Sequence, residues 1–177
     1  MKKIILKNNI EVTVRRATKD DAQNMIDFYN AVGGETDFLS FGANEFKRDL
    51  REYEDYITAT SNEQNSIMLL ALIDSEIISI ATINSSQKER TKHVGTLGIV
   101  VSKTYTGLGL GKILMNGLIE WAKQNGVTKK ISLVTNETNT VAIELYKKLG
   151  FEVEGLLKKD NFINGNFNNT IIMGLLL

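Results

Sequence analysis

Three apolar runs follow one another with no helical pattern between them: "SIMLLALID", "EIISIATINSS" and "KHVGTLGIVVS". A short turn at Asp74-Ser75 separates the first two, and a charged hairpin, "QKERT", separates the second from the third. Each run reads as a strand, so three strands stand consecutively in the middle of the chain. A regular doubly wound sheet would alternate strand and helix more strictly. The fold is therefore α/β in content, but with strands consecutive in the middle of the chain rather than alternating with helices.

The remaining segments surround this block. "MKKIILKNNIEVTVRRA" reads as two short strands around an Asn8-Asn9 turn, because Asn tolerates the positive φ of a tight hairpin. Thr18 caps a helix with Asp20 and Asp21 in its first turn, where negative charge suits the helix dipole, and Gly33-Gly34 ends it. "ETDFLSFGA" is a loop. A second helix starts near Asn44, with Phe46, Leu50, Tyr53 and Ile57 at a 3.6-residue period. After the three strands come a glycine loop and a helix to Gly126, then the strand "KKISLVT". A helix from Asn139 to Leu149 follows, then two strands joined by an Asn164-Gly165 turn. The order is ββααβββαβαββ.

Composition excludes several functions. The 177 residues suit one domain, taken as 1–177. A formal net charge of zero argues against nucleic acid or an anionic membrane as the partner, since both normally require a basic excess. No cysteine is present, which removes disulfides, thiolate metal sites and a Cys nucleophile. A single histidine, His93, speaks against a His-rich metal site or a Ser/His triad, so no metal is expected. The apolar run Ile4 to Leu6 is too short for a signal peptide, and no run approaches a membrane span, so the expected location is the cytoplasm.

The stretch "TYTGLGLGKILM" carries Gly107, Gly109 and Gly111 directly before a helical pattern. A Walker A loop would need Gly five positions before Gly111-Lys112 and Ser or Thr after it. The chain has Thr106 and Ile113 there. A dinucleotide fingerprint would need a third Gly where Lys112 stands. Glycines that let a backbone approach closely, at a helix N-terminus with free N–H groups, still suit an anion. The plain alternative is a strand-to-helix turn that needs small residues. In "NETNTVAIELYKKLGFEVEG", Asn139, Ala142 and Tyr146 share one helix face. That face is either a docking surface or one side of a capped amphipathic helix with a half-buried Tyr.

Taken together, V-x(4)-T-G-L-G-L-G-K and N-x-x-A-I-x-L-Y-K-K-L-G-F-E-x-x-G, separated by a helix and a strand, resemble the GCN5-related N-acetyltransferase (GNAT) family. The tail "INGNFNNTIIMGLLL" is similar to the subgroup that acetylates ribosomal-protein N-termini, spermidine and related amines. Thr106 stands where the family usually has Gln or Arg, and Asn169 where the subgroup usually has Asp.

The resemblance implies a GNAT fold. This is a central, mixed, mostly antiparallel sheet of about seven strands, flanked by four helices and splayed in the middle. It implies acetyl-coenzyme A as cofactor, its pyrophosphate on the backbone of Thr106, Gly107, Leu108, Gly109, Leu110, Gly111 and Lys112. The pantetheine arm would lie along Ile99, Val100 and Val101, with Asn139, Ala142, Tyr146 and Lys148 on the other side. The reaction implied is direct acetyl transfer to a primary amine, of a small molecule or a peptide N-terminus, in a ternary complex. The alternative is a non-catalytic acyl-CoA-binding regulatory module on the same fold. Tyr146 is the candidate acid for the departing thiolate and the Val101 N–H the candidate oxyanion donor. Glu35, Asp37 and Phe38 fall in the loop where the family builds its acceptor site. Glu35 and Asp37 either bind or deprotonate a cationic amine, or belong to an exposed polar loop. Phe38, Leu39 and Phe41 favour a loop packed over the site. His93 reads as a surface residue and Tyr105 as structural. Family members are often dimers, so a homodimer is expected.

Overall fold

The computed structural model describes residues 2–177. Its element order is the one expected: β1 (Lys2–Ile5), β2 (Glu11–Arg16), α1 (Ala22–Val32), α2 (Leu50–Asn62), β3 (Ile67–Ile73), β4 (Glu76–Ser85), β5 (Val94–Val101), α3 (Leu110–Gln124), β6 (Lys130–Asn136), α4 (Thr140–Lys148), β7 (Glu152–Ile163) and β8 (Asn166–Leu176). All eight strands join one sheet in the order β1-β2-β3-β4-β5-β6-β8-β7, one strand more than the expected seven. Every neighbouring pair is antiparallel except β5–β6.

That parallel pair positions the site. Its register covers only Val94↔Lys130, Gly95↔Ile131 and Thr96↔Ser132. Beyond Thr96 and Ser132 the strands diverge, while β5 stays paired with β4 up to Val101 and β6 with β8 up to Asn136. The sheet is splayed at its centre.

Two apolar cores cover the sheet. Leu110, Leu114, Met115 and Leu118 of α3 and Tyr146 of α4 bury against Ile131 and Leu133 of β6 and Leu97 of β5. Met25 and Phe28 of α1 and Tyr53 and Ile57 of α2 bury against Leu70 of β3 and Ile80 of β4. The entry to α1 is locked more tightly than the sequence suggests. Asp21 receives both guanidinium nitrogens of Arg15 (2.7 and 2.6 Å) and the N–H and hydroxyl of Thr18 (2.8 and 3.0 Å). The Arg15 pairing holds the Asp21 carboxyl below its ordinary range, against an opposing effect of burial.

α2 starts at Leu50 rather than near Asn44. Asn44 takes a φ of +59°, outside the helical region. Asp49 is the true cap, its side chain accepting the Glu52 N–H at 3.0 Å. Phe46 keeps its core role from a loop. Its N–H donates to Asn30 Oδ1 (3.0 Å) and its C=O accepts from Asn30 Nδ2 (3.3 Å). β7 is not regular either: its register with β8 shifts between Leu157 and Asn161, with Lys159 at φ +54°.

Candidate active site

The edge of β5 defines the first part of the site. Ser102 donates its N–H to the Ile78 carbonyl at 3.0 Å. Bonded and non-bonded pairs alternate along an antiparallel ladder, so Val100, opposite Ile80, is also bonded to β4. Ser79 Oγ adds a donor to the Val100 carbonyl at 2.7 Å. Ile99 and Val101 occupy the intervening pairs and turn their N–H and C=O groups toward β6. No strand meets them there, because the β5–β6 ladder has ended. The expected run of three free backbone residues thus reduces to Ile99 and Val101. On the opposite wall of the gap Val134 is 59% exposed.

The gap leads to the glycine loop. β5 runs into a single 3-10 turn, Lys103–Tyr105, and Gly109 then caps α3 with a φ of +91°. Gly107 also lies at positive φ, +74°. Glycine adopts this conformation without the cost a side chain imposes. The N–H groups of Gly107, Leu108, Gly109, Leu110, Gly111 and Lys112 make no hydrogen bond to the described residues. A Cβ at Gly107 would meet nothing within 4 Å, so the space above the loop is open. Thr106 does not face that space with a free hydroxyl: its Oγ1 donates to the Lys103 carbonyl at 2.8 Å. At Gly111 a Cβ would touch Leu145 of α4 (3.9 Å) and Ile99 of β5 (4.0 Å). The first turn of α3, α4 and the gap edge therefore meet at this residue.

α4 supplies the other wall. Asn139 caps it, its Oδ1 accepting the Ala142 N–H at 3.4 Å, and its amide nitrogen donates to none of the described residues. Ala142 is half-buried. Tyr146 is 8% exposed, and burial alone pushes its phenol upward. Its hydroxyl bonds to none of the described residues and yet is not sealed from solvent. It is a neutral, proton-bearing group with no partner among the described residues. Lys148 is exposed in the last turn of α4, about 13 Å along the axis from Asn139.

The structure sends the loop carboxylates to different places. Glu35 Oε2 accepts the Lys103 N–H at 2.7 Å. It also lines a cleft of about 360 Å³ between α1 and the β3–β4 turn, with Asp27, Glu76, Phe28, Ile77 and Tyr105. No Lys or Arg and no residue of β6 or α4 is in that lining. Asp37 Oδ2 instead accepts from Asn164 Nδ2 at 3.0 Å, tying the loop to the tip of the β7–β8 hairpin. Phe41 packs on Tyr29 and Phe46 (centroids 5.9 and 5.3 Å), into the α1–α2 core rather than over the gap. Phe38 is 46% exposed. His93 is exposed at the far end of β5. Asp27 and Glu76 carried no signal in the sequence, and Asn164 read only as a turn residue, because each acquires its place at the site through a distant segment.

The model of the Acetyltransferase (GNAT) family matches residues 35–151. The chain belongs to the GNAT family. A GNAT acetyltransferase from Streptococcus pneumoniae superimposes with a TM-score of 0.90 at 34% identity, over 94% of this chain and 99% of that one. The L-amino acid N-acetyltransferase AaaT of Escherichia coli K12 is 34% identical over 105 residues, 59% of this chain and 65% of the relative. The spermidine N(1)-acetyltransferase of the same strain is 36% identical over 75 residues, 42% and 40% of the two chains. The match spans less than two thirds of each curated relative. Within this GNAT chain the family match begins at Glu35 and ends at Phe151, so it includes the gap edge, the glycine loop and α4.

Proposed function

We propose that this GNAT protein is an N-acetyltransferase, a domain of residues 1–177 that moves an acetyl group from acetyl-CoA to a primary amine in a ternary complex. One observation carries the reading: the free backbone groups of Ile99 and Val101 line a gap that runs straight into the unpaired N–H groups of Gly107 to Lys112. An amide-rich arm ending in phosphates suits that arrangement. Open space over Gly107 fits the same ligand. Acetyl-CoA, when bound, supplies an acetyl thioester open to attack by an amine.

The chain's own groups have these roles. Gly107 to Lys112 hold the phosphates through backbone N–H groups, aided by the positive end of α3. Ile99 pairs with the arm, and the Asn139 amide binds it from the opposite wall, beside Ala142. The Val101 N–H donates to negative charge on the acyl oxygen. Tyr146 keeps its proton at neutral pH, because burial disfavours the phenolate, and donates it to the departing thiolate. The cleft of Asp27, Glu35 and Glu76 borders Ser102, the residue after Val101. Three carboxylates around the apolar Phe28 and Ile77 suit a cationic amine, and Glu35 takes through water the proton that the amine must lose before it attacks. The two curated relatives are named for an amino acid and for a polyamine, both of which carry primary amines. The acceptor is a small amine or a peptide N-terminus. A cytoplasmic location and a homodimer belong to the same reading; for its part, no helix among the described residues is long and apolar enough to cross a membrane.

Calorimetric titration with acetyl-CoA, ATP and NAD tests the cofactor, and thiol release with a panel of amines tests the transfer. Binding of acetyl-CoA alone, with turnover of at least one amine, is expected. Binding without turnover of any amine would leave a regulatory acyl-CoA module, and no binding of acetyl-CoA would end the reading.

A further inference from the structure

The turn between β1 and β2 reaches the glycine loop. The Lys7 N–H donates to the Leu108 carbonyl at 3.3 Å. Its side chain then runs along the loop: Cε and Cγ lie 3.7 and 4.0 Å from where a Gly109 Cβ would stand. Apart from the neighbours of Gly109 in the chain, no other side chain among the described residues comes within 4 Å of that point. Lys7 is exposed and forms no ion pair among the described residues, whereas Lys3, on the same hairpin, is paired with Glu11 at 2.6 Å. The stem of a lysine that has no counter-charge among the described residues therefore lies against the residue that caps α3, where the N–H groups are unpaired.

We propose that Lys7 is a phosphate-binding residue of the cofactor site, contributed by a hairpin about 100 positions away in sequence. The inference rests on the reading that the glycine loop holds the phosphates of acetyl-CoA. Two features of the geometry support it. The backbone bond to Leu108 fixes where the Lys7 Cα sits, so only the side chain must be ordered when an anion arrives. The methylene stem lies at van der Waals distance from Gly109, so the side chain already follows the loop before any anion arrives. Lys7 has two functions in this account: it buttresses the loop through its backbone and neutralises the ligand through its ammonium. Substitution removes only the second.

The test is calorimetric titration of acetyl-CoA into the wild type, Lys7→Ala and Lys7→Arg, each at low and high salt. Lys7→Ala should bind roughly tenfold more weakly at low salt, a loss typical of one charge-assisted phosphate contact. The difference should shrink at high salt through screening, and Lys7→Arg should stay near the wild type. Acetyl-pantetheine, which has neither the pyrophosphate nor the ribose phosphate, should bind all three equally well. Dephospho-CoA then locates the contact. A persisting Lys7→Ala defect assigns Lys7 to the pyrophosphate, and a vanished one assigns it to the ribose 3′-phosphate; either supports the proposal. Equal affinity of wild type and Lys7→Ala at both salt concentrations overturns it while leaving the cofactor reading intact. Absence of acetyl-CoA binding by the wild type overturns both.

Discussion

Tyr146 shows how much a single residue's environment decides. On helical spacing it shares a face with Asn139 and Ala142, which does not separate a packed aromatic from a working acid. The structure buries the ring beside Phe151 (centroids 6.1 Å) and leaves the hydroxyl without a partner among the described residues. A structural tyrosine at this depth would ordinarily find an acceptor. Tyr146→Phe keeps the ring and removes only the hydroxyl. The substitution should lower kcat by roughly 10²–10⁴ while leaving the calorimetric Kd for acetyl-CoA within about twofold of the wild type. A parallel loss of affinity and rate would instead make Tyr146 a packing residue. Glu35 and Asp37 teach the complementary lesson. They are two positions apart and chemically alike, and yet one holds the Lys103 N–H and the other the Asn164 amide. Nothing local distinguishes them, since both partners come from other parts of the chain. The same holds for Asn169. Its backbone N–H and side-chain amide both donate to the Glu137 carboxylate at 2.9 Å, and its Oδ1 accepts the Lys159 N–H at 2.9 Å. Asn169→Asp would set a second carboxylate against Glu137 and remove a donor. It should cost about 1–3 kcal/mol, read by urea denaturation at neutral pH.

At the scale of elements, strand and helix identities were legible because the apolar spacing and the Gly and Asn punctuation agree. The start of α2 was not, because Phe46 fits the helical period while belonging to a loop that Asn30 holds. Nor was the splay. β5 and β6 each read as ordinary strands, and where a ladder stops is set by how two strands twist apart, not by either sequence. The alternation along β5 gives this a measurable consequence. The Val100 N–H bonds to β4, whereas the N–H groups of Ile99 and Val101 face the gap. Amide hydrogen exchange without cofactor should therefore protect Val100 strongly and its two neighbours weakly. Saturating acetyl-CoA should slow exchange at Ile99 and Val101 by roughly tenfold or more, with little change at Val100. Uniform protection of all three residues in the free protein would mean that β5 and β6 close together in solution.

The whole molecule is two apolar cores on opposite faces of one broken sheet, and the α1–α2 side depends on how firmly α1 is attached to β2. That attachment is concentrated in Asp21, which is bound by Arg15 from β2 and by Thr18 at the entry to α1. The sequence marks Asp21 as a favourable charge near a helix N-terminus, an effect of a few tenths of a kcal/mol up to about 1 kcal/mol. The two-pronged ion pair makes it larger, since removing one partner leaves a half-buried guanidinium uncompensated. Asp21→Asn should lower unfolding free energy by about 2 kcal/mol at neutral pH. Because the native carboxyl titrates below its unfolded value, the wild type's advantage is complete above about pH 4 and is lost as pH falls through the lower native pKa. Urea denaturation of the two proteins from neutral pH downward should show parallel curves that converge only in acid. Curves that stay separated at the lowest pH would assign the effect to geometry, the loss of carboxylate-specific bonds to Thr18, rather than to charge. The proposed acceptor cleft lies against α1, with Asp27 and Phe28 in its wall. A loosened α1 should therefore raise KM for the amine before it affects acetyl-CoA binding, which depends on the opposite side of β5.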